Sequence, residues 1–297
     1  MNIVSGEQLQ SLCEIGLYTE INSLIEDQNN CIKQNIHKIS DVSVEDIKKY
    51  KKIFIYTHFV HDFMDKFLDH LNDGTIIITH NSDNAISEEH KKYLDNTKIS
   101  KWFCQNRELS HPKLFSIPIG IANSQWPHGN QNTIRGIREN DTKKDNLVYK
   151  NFQVDTNYGE RALCHNITST NGIPMSPSTL QEEYWNNIKR SLFIISPPGN
   201  GIDCHRIWEC LYLKSVPILK LVGKHKHAFS QFTHLPILFV DDWKEVTIDF
   251  LRSKIQDYID FDFNSISETG IHFWRERINS STHASCGHKK NSMTLII

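Results

Sequence analysis

From residue 52 onward, short runs of β-branched and aromatic residues alternate with stretches whose apolar positions recur at helical spacing. Residues 53–56 make the first run, and residues 75–79, 101–104 and 113–117 follow. Between them, Phe63, Phe67, Leu68 and Leu71 share one helical face, as do apolar positions within residues 87–94. Apolar runs punctuated by helices predict βαβ units and a parallel sheet. A polar stretch, residues 135–145, lacks apolar periodicity and reads as a linker. The alternation then restarts: strands over 147–152, 192–195, 216–221 and 237–240, helices over 179–189, 204–213, 243–259 and 265–277, and a Gly/Pro/Ser-rich loop at 171–178. Ahead of all this, Leu9, Leu12 and Ile15, then Ile21, Leu24 and Ile25, predict a helical lead-in over residues 1–48.

The pattern predicts an α/β protein of two Rossmann-like domains whose parallel sheets face each other across a cleft. Expected bounds are 1–135 for the first domain, 136–146 for the linker, 147–280 for the second domain and 281–297 for a flexible tail. A length of 297 residues with 38% hydrophobic and 23% charged residues suits two ordinary cores. The net charge of -2 gives no global pull toward nucleic acid or anionic membrane. No apolar run is long enough to span a bilayer and no export signal is visible, so the expected location is cytoplasmic. Seven cysteines, odd in number and scattered without a CxxC pair, speak against a disulfide framework or a zinc ribbon. Among sixteen histidines no HExxH pair occurs. His225 and His227 flank one residue in a predicted surface loop, and no metal site is expected.

The chemistry concentrates after the strand at 192–195, where Pro197-Pro198-Gly199-Asn200-Gly201 leads through Asp203 into a helix. Two glycines permit positive φ and close backbone approach, and Asp203 suits an N-cap. Strand-to-helix turns lie at the carboxyl edge of a parallel sheet, where ligands bind, and the helix start favours anions. Arg206 falls in the first turn, where the helix dipole disfavours a cation by about 0.3–1 kcal/mol. An anionic ligand shared by Arg206 and the helix N–H groups reverses that sign, and Glu209, one turn deeper, can accept from ribose hydroxyls. The alternative is a surface ion pair between Arg206 and Glu209 over a structural turn. The loop is neither a GxGxxG fingerprint nor a P-loop.

The stretch from Ser191 to Ile218, including Ser196-Pro197-Pro198-Gly199-Asn200-Gly201-Ile202-Asp203-Cys204-His205-Arg206-Ile207-Trp208-Glu209, resembles the donor-binding core of exostosin-like glycosyltransferases, in particular a soluble group found in bacteria and large DNA viruses. Three further blocks resemble the same group: residues 78–83, 117–129 and 235–243. The resemblance implies a GT-B fold, metal-independent transfer without a cofactor, a UDP- or GDP-sugar as donor bound by the second domain, and a glycan or glycoconjugate acceptor held largely by the first. It assigns Arg206 to the diphosphate and Glu209 to the ribose, with Gly199, Asn200, Gly201 and His205 around them. Pro198 stands where relatives often carry a basic residue, and Lys214-Ser215 replaces a common Gly-Cys.

Asn157 and Arg161, in the first strand-to-helix connection of the second domain, are expected to reach the same phosphates, or else to cap and solvate a helix. In the first domain, two strand ends empty into polar loops carrying His58 and Asp62, and His80 and Asp83. Each is a candidate general base for an inverting transfer, and each can equally be a structural hydrogen-bonding residue. Trp126 and His128 are placed to line the cleft, Trp126 either stacking on a sugar or wedging the domains. Asp241-Asp242, after a strand, resembles a metal or acid pair, and helix capping by Asp242 explains it equally. Two other functions remain open on these residues: a nucleotide-sugar epimerase or hydrolase of the same fold, and a non-catalytic nucleotide-sugar or glycan-binding module.

Overall fold

The computed structural model describes residues 2–19 and 36–280. The strands are β1 (Ile15–Tyr18), β2 (Ile36–Lys38), β3 (Lys52–Tyr56), β4 (Thr75–His80), β5 (Ile99–Cys104), β6 (Leu114–Ser116), β7 (Asn146–Tyr149), β8 (Ser191–Ile195), β9 (Val216–Lys220) and β10 (Leu238–Val240). They form a 6-stranded sheet in the order β2-β1-β3-β4-β5-β6 and a 4-stranded sheet in the order β10-β9-β8-β7. Every pairing within both sheets is parallel. The expected architecture of two parallel-sheet α/β domains is therefore what the chain adopts.

Side chains alternate across the first sheet, as strand geometry requires. Ile53 and Ile55 face outward with Val60, Phe63 and Phe67 of the helix Val60–Phe67. Phe54, Tyr56, Ile78 and Phe103 face the other way, in a core continuous with Phe193, Ile195, Trp208 and Ile218 of the second domain. At about 25 cal/mol per Å² of buried apolar surface, this shared core ties the two sheets together hydrophobically.

Three elements differ from the sequence expectation. The lead-in is not purely helical: a short helix, Gly6–Gln10, is followed by β1 and, after residues outside the described set that include Ile21, Leu24 and Ile25, by β2. Ile15 and Leu17 are buried between β2 and β3, so the run is an interior parallel strand. The polar stretch expected as a linker begins inside the helix Gln131–Glu139, in which only Ile134 and Ile137 are buried, too few apolar positions to show as periodicity. The C-terminal helix Ile271–Asn279, expected with the second domain, returns to the first. Gly270 bridges Ile3, Asn279 Oδ1 accepts from Lys52 at 3.0 Å, and Lys101 Nζ donates to the Ser280 carbonyl at 2.5 Å. No helix among the described residues is long and apolar enough to cross a membrane.

Candidate functional site

The loop after β8 sits against both domains. Gly199 and Gly201 are not at positive φ, contrary to the expectation from their type. Their lack of a side chain serves close approach instead. A Cβ on Gly201 would lie 2.6 Å from Asn106 Nδ2, and one on Gly199 would lie 3.1 Å from Arg161 Nη2. Asn106 is itself in the left-handed region at φ 55, which Asn tolerates, and its Oδ1 accepts the Asp203 N–H at 2.9 Å.

Asp203 is not the helix cap that the sequence suggested. Cys204 occupies the N-cap of the helix His205–Tyr212 and makes no side-chain cap bond. The Asp203 carboxylate accepts the Trp208 indole N–H at 2.8 Å and reaches across the cleft to the Ile119 N–H at 2.7 Å. Burial pushes its pKa up to about 7, against the pull of those donors. His205 makes the same crossing through Nδ1, 2.7 Å from the Gly120 carbonyl oxygen. Burial lowers its pKa to about 4, so the ring is neutral and Nδ1 donates.

Beside this loop opens a cavity of about 460 Å³, lined among others by Phe152, Arg161, Tyr184, Asn200, Arg206 and Glu209. Among the described residues no ion pair joins Arg206 to Glu209, so the structural alternative considered from the sequence does not form. Arg206 Nε donates to the Tyr184 hydroxyl at 2.9 Å, while Glu209 Oε1 accepts the Trp185 indole N–H at 3.0 Å. Arg206 Nη1 is buried without a hydrogen-bond partner. Burial works against its charge, but Tyr184, Cys204 and Cys210 outweigh that and hold the guanidinium above its ordinary pKa. Glu209 is pushed up to about 7 by burial, opposed by Trp185 and Arg206. Arg161 and Arg206 both lie over the Phe152 ring, each 5.8 Å from its centroid. The cavity therefore holds two guanidinium groups, one with a donor left over, and a carboxyl that is part protonated near neutrality.

Asn157 differs from expectation. Its amide donates to the Gly199 carbonyl at 2.8 Å and it lies behind the cavity wall, fixing the loop rather than facing a ligand. Arg161 lines the cavity, yet Nε and Nη1 are spent on the carbonyls of Pro198, at 2.9 Å, and Gln153, at 2.7 Å. It too braces the loop.

A second cavity of about 220 Å³ adjoins the first on the side of the 6-stranded sheet, lined by His80, Asn81, Ser82, Gln125 and Trp126 among others. Four residues, Asp83, Ile119, His128 and His205, line both cavities and so form their common wall. Of the candidate bases, only Asp83 is on that wall. His58 and Asp62 line neither cavity: the chain turns at once from β3 into Thr57–Phe59 and the helix Val60–Phe67, which carries them outward. His58 packs edge-on against Phe59, and Asp62 accepts from the Thr19 hydroxyl at 2.6 Å. His80 lines the smaller cavity but both its nitrogens are engaged. Nδ1 accepts the Asn81 N–H at 2.7 Å and Nε2 is 3.0 Å from the Pro118 carbonyl oxygen. Its role is to hold the turn, in which Asn81 takes φ 57.

His128, expected only as a cleft residue, stacks on Trp126 at 5.9 Å with its ring planes 25° apart, and burial lowers its pKa. Neither its imidazole nor the Asp83 carboxylate has a hydrogen-bond partner among the described residues. Trp126 is 40% exposed, one of the few large apolar side chains left open. Asn106, Phe152, Tyr184 and Trp185 were not singled out from the sequence. Asn106 follows β5 at the carboxyl edge, a positional signal; the others give none. Asp242 caps the turn Trp243–Glu245 in a capping box, as its position suggested. His225 and His227 fall in short helical turns, and among the described residues no metal-ligand cluster involves them.

No family profile matches the chain, and no curated protein matches it. Among solved structures, the Anabaena protein HepE in complex with UDP-glucose aligns at a TM-score of 0.45 and 10% identity, covering 94% of this chain and 96% of that one. The UDP-GlcNAc 2-epimerase of Methanocaldococcus jannaschii aligns at a TM-score of 0.37 and 9% identity over 92% of this chain and 94% of that one. The same enzyme in complex with UDP-GlcNAc and UDP aligns at 0.36 and 9% identity over 85% and 86%. The chemistry of the two cavities, rather than that loose likeness, carries the function proposed next.

Proposed function

We propose that this protein is a glycosyltransferase that moves a sugar from a nucleotide-diphosphate donor to an acceptor hydroxyl. The larger cavity takes the donor and the smaller one the acceptor. The observation that carries the proposal is the buried, unpartnered Arg206 Nη1 in a cavity entered by a helix N-terminus without a side-chain cap. Leaving such a donor unsatisfied costs about 1–3 kcal/mol, and a diphosphate oxygen satisfies it. Glu209, one turn further in, offers its carboxyl to the nucleoside hydroxyls.

In the proposed reaction the acceptor oxygen attacks the anomeric carbon, the bond from that carbon to the diphosphate breaks, and the acceptor proton passes to a base. Arg206 and the helix N–H groups hold the charge that develops on the departing diphosphate. The base must reach both substrates, which restricts it to the common wall, and there Asp83 and His128 carry unengaged protonable groups.

The test is a thermal-shift panel of UDP, GDP, CMP and their sugars on the parent protein and Arg206→Ala, followed by turnover with and without glycan acceptors. Saturating ligand at about 100 times its Kd stabilises by about 2.7 kcal/mol. Absence of any nucleotide-dependent shift, or an equal shift in Arg206→Ala, refutes the donor site. Sugar release or epimerisation without an acceptor refutes transfer while leaving the donor site intact, and binding without turnover marks a binding module. Asp83→Asn and His128→Gln separate the two bases: the true one abolishes the acidic limb of the kcat/KM pH profile.

A further inference from the structure

We propose that His61, Glu89 and His90 form a binding site for one divalent transition-metal ion, zinc being the best match to their donors. The three offer two imidazole nitrogens and a carboxylate oxygen, all within 4.8 Å of one another. His61 Nε2 lies 4.0 Å from Glu89 Oε2, and His90 Nδ1 lies 3.9 Å from Glu89 Oε1. Ligand atoms of a tetrahedral zinc site with bonds of about 2.0–2.2 Å sit roughly 3.3 Å apart. The two pairs that include Glu89 therefore have to close by well under an ångström, and the two imidazole nitrogens, within 4.8 Å, by up to about 1.5 Å. The Glu89 side chain is 65% exposed and free to make most of that adjustment, while His61 is 49% exposed and His90 is anchored at 6%.

A second observation points to a ligand. His61 Nδ1 is 3.0 Å from the Tyr93 hydroxyl, which fixes the ring and leaves Nε2 directed at Glu89. A ligating histidine is normally held through its other nitrogen in this way. The His61 and His90 rings stack at 4.9 Å and 23°, side by side next to Glu89. The Ser87 N–H reaches His90 Nδ1 at a long 3.2 Å, a weak bond for an ion to displace. Three protein ligands leave a fourth position for water, as in open zinc sites.

The site lies outside both cavities, on the outer side of the sheet edge that carries them. It joins the helix Val60–Phe67 to the connection after β4, whose opening residues, Asn81, Ser82 and Asp83, line the smaller cavity. The connection is already tied down nearer its start: Ile86 N–H donates to the Asn106 carbonyl at 3.0 Å, and Asn106 Nδ2 donates to the Asp83 carbonyl at 3.1 Å. A bound ion adds a link from its far end, at Glu89 and His90, to the helix that carries His61. Binding of the ion itself does not depend on the transferase reaction proposed above.

The experiment is calorimetric titration of ZnCl2 into the EDTA-stripped full chain, with Co2+ as a spectroscopic probe, on the parent, His61→Ala, Glu89→Gln and Tyr93→Phe. The parent is expected to bind one equivalent, with the Co2+ visible bands of a tetrahedral nitrogen–oxygen site. His61→Ala and Glu89→Gln, both at exposed positions, are expected to keep the metal-free melting temperature and lose that equivalent. Tyr93→Phe is expected to weaken it about 10- to 100-fold. No stoichiometric binding by the parent overturns the proposal, as does equal binding by His61→Ala and Glu89→Gln, which would place the ion on other histidines.

Discussion

Replacing Arg206 by methionine tests whether that residue is built for a ligand or for the fold. Methionine keeps most of the stem volume and removes the charge. In the ligand-free protein it abolishes a buried, unsatisfied donor, a penalty of about 1–3 kcal/mol. It also removes the 2.9 Å bond from Arg206 Nε to the Tyr184 hydroxyl, a loss of about 1.5–3 kcal/mol for a charged donor. The two nearly cancel, so unfolding in urea should show a change within about 1 kcal/mol of the parent. Binding has no such compensation. One charge-assisted hydrogen bond of about 1.5–3 kcal/mol disappears, which weakens a nucleoside diphosphate roughly 10- to 150-fold by calorimetry. The reasoning fails if the variant loses several kcal/mol of stability while binding nucleotide as the parent does; Arg206 would then be a strut between two helices.

Three further outcomes follow from the site's geometry. Glu209, raised to about 7 from a usual 4.5, favours the folded state when protonated, so its contribution is full below about 4.5 and is lost as pH rises through about 7. Glu209→Gln should therefore gain melting temperature relative to the parent between about pH 5 and pH 8, and parallel curves would refute this. Gly201→Ala drives a methyl toward Asn106 Nδ2, 2.6 Å from the ideal Cβ, and should cost about 1–3 kcal/mol. Asn106→Gly, at a left-handed position, makes room, so the double variant should be more stable in urea than the sum of the single changes, and strict additivity would count against the contact. Trp126→Ala should raise the acceptor KM with little change in donor affinity, since Trp126 lines only the smaller cavity.

Contacts across the cleft set how the two cavities relate. Asp203 binds the Ile119 N–H, His205 binds the Gly120 carbonyl, and Asn106 receives the Asp203 N–H. All three join the start of the helix that carries Arg206 to first-domain loops that line or support the smaller cavity. Gly120 itself has φ 68, and a Cβ there would lie 1.9 Å from the Val4 carbonyl oxygen, so its loop packs closely on the chain's first residues.

How much of this was legible in the sequence depends on the range of the interaction concerned. Strands β3 to β10 showed because each is a short, mostly apolar run flanked by helical or turn-rich stretches, a purely local signal. Strand β1 did not, because Leu9, Leu12 and Ile15, spaced by three, straddle the end of one helix and the start of a strand. The loop after β8 was located by the same local logic, and Arg206 stood out against the helix dipole. The work of its glycines was hidden, since Gly201 is shaped by Asn106 and Gly199 by Arg161, both distant in sequence. The candidate bases show the limit most sharply. His58, Asp62, His80 and Asp83 all follow strand ends, and sequence position treats them alike. After β3 the chain enters a helix at once and takes His58 and Asp62 away from the cleft. After β4, Asn81 at φ 57 bends the chain along the sheet edge, spends His80 on the bend, and delivers Asp83 to the wall between the cavities. One left-handed residue, which Asn adopts at little cost, thus stands between two strand-end carboxylates, Asp62 carried away from the cavities and Asp83 brought to the wall between them.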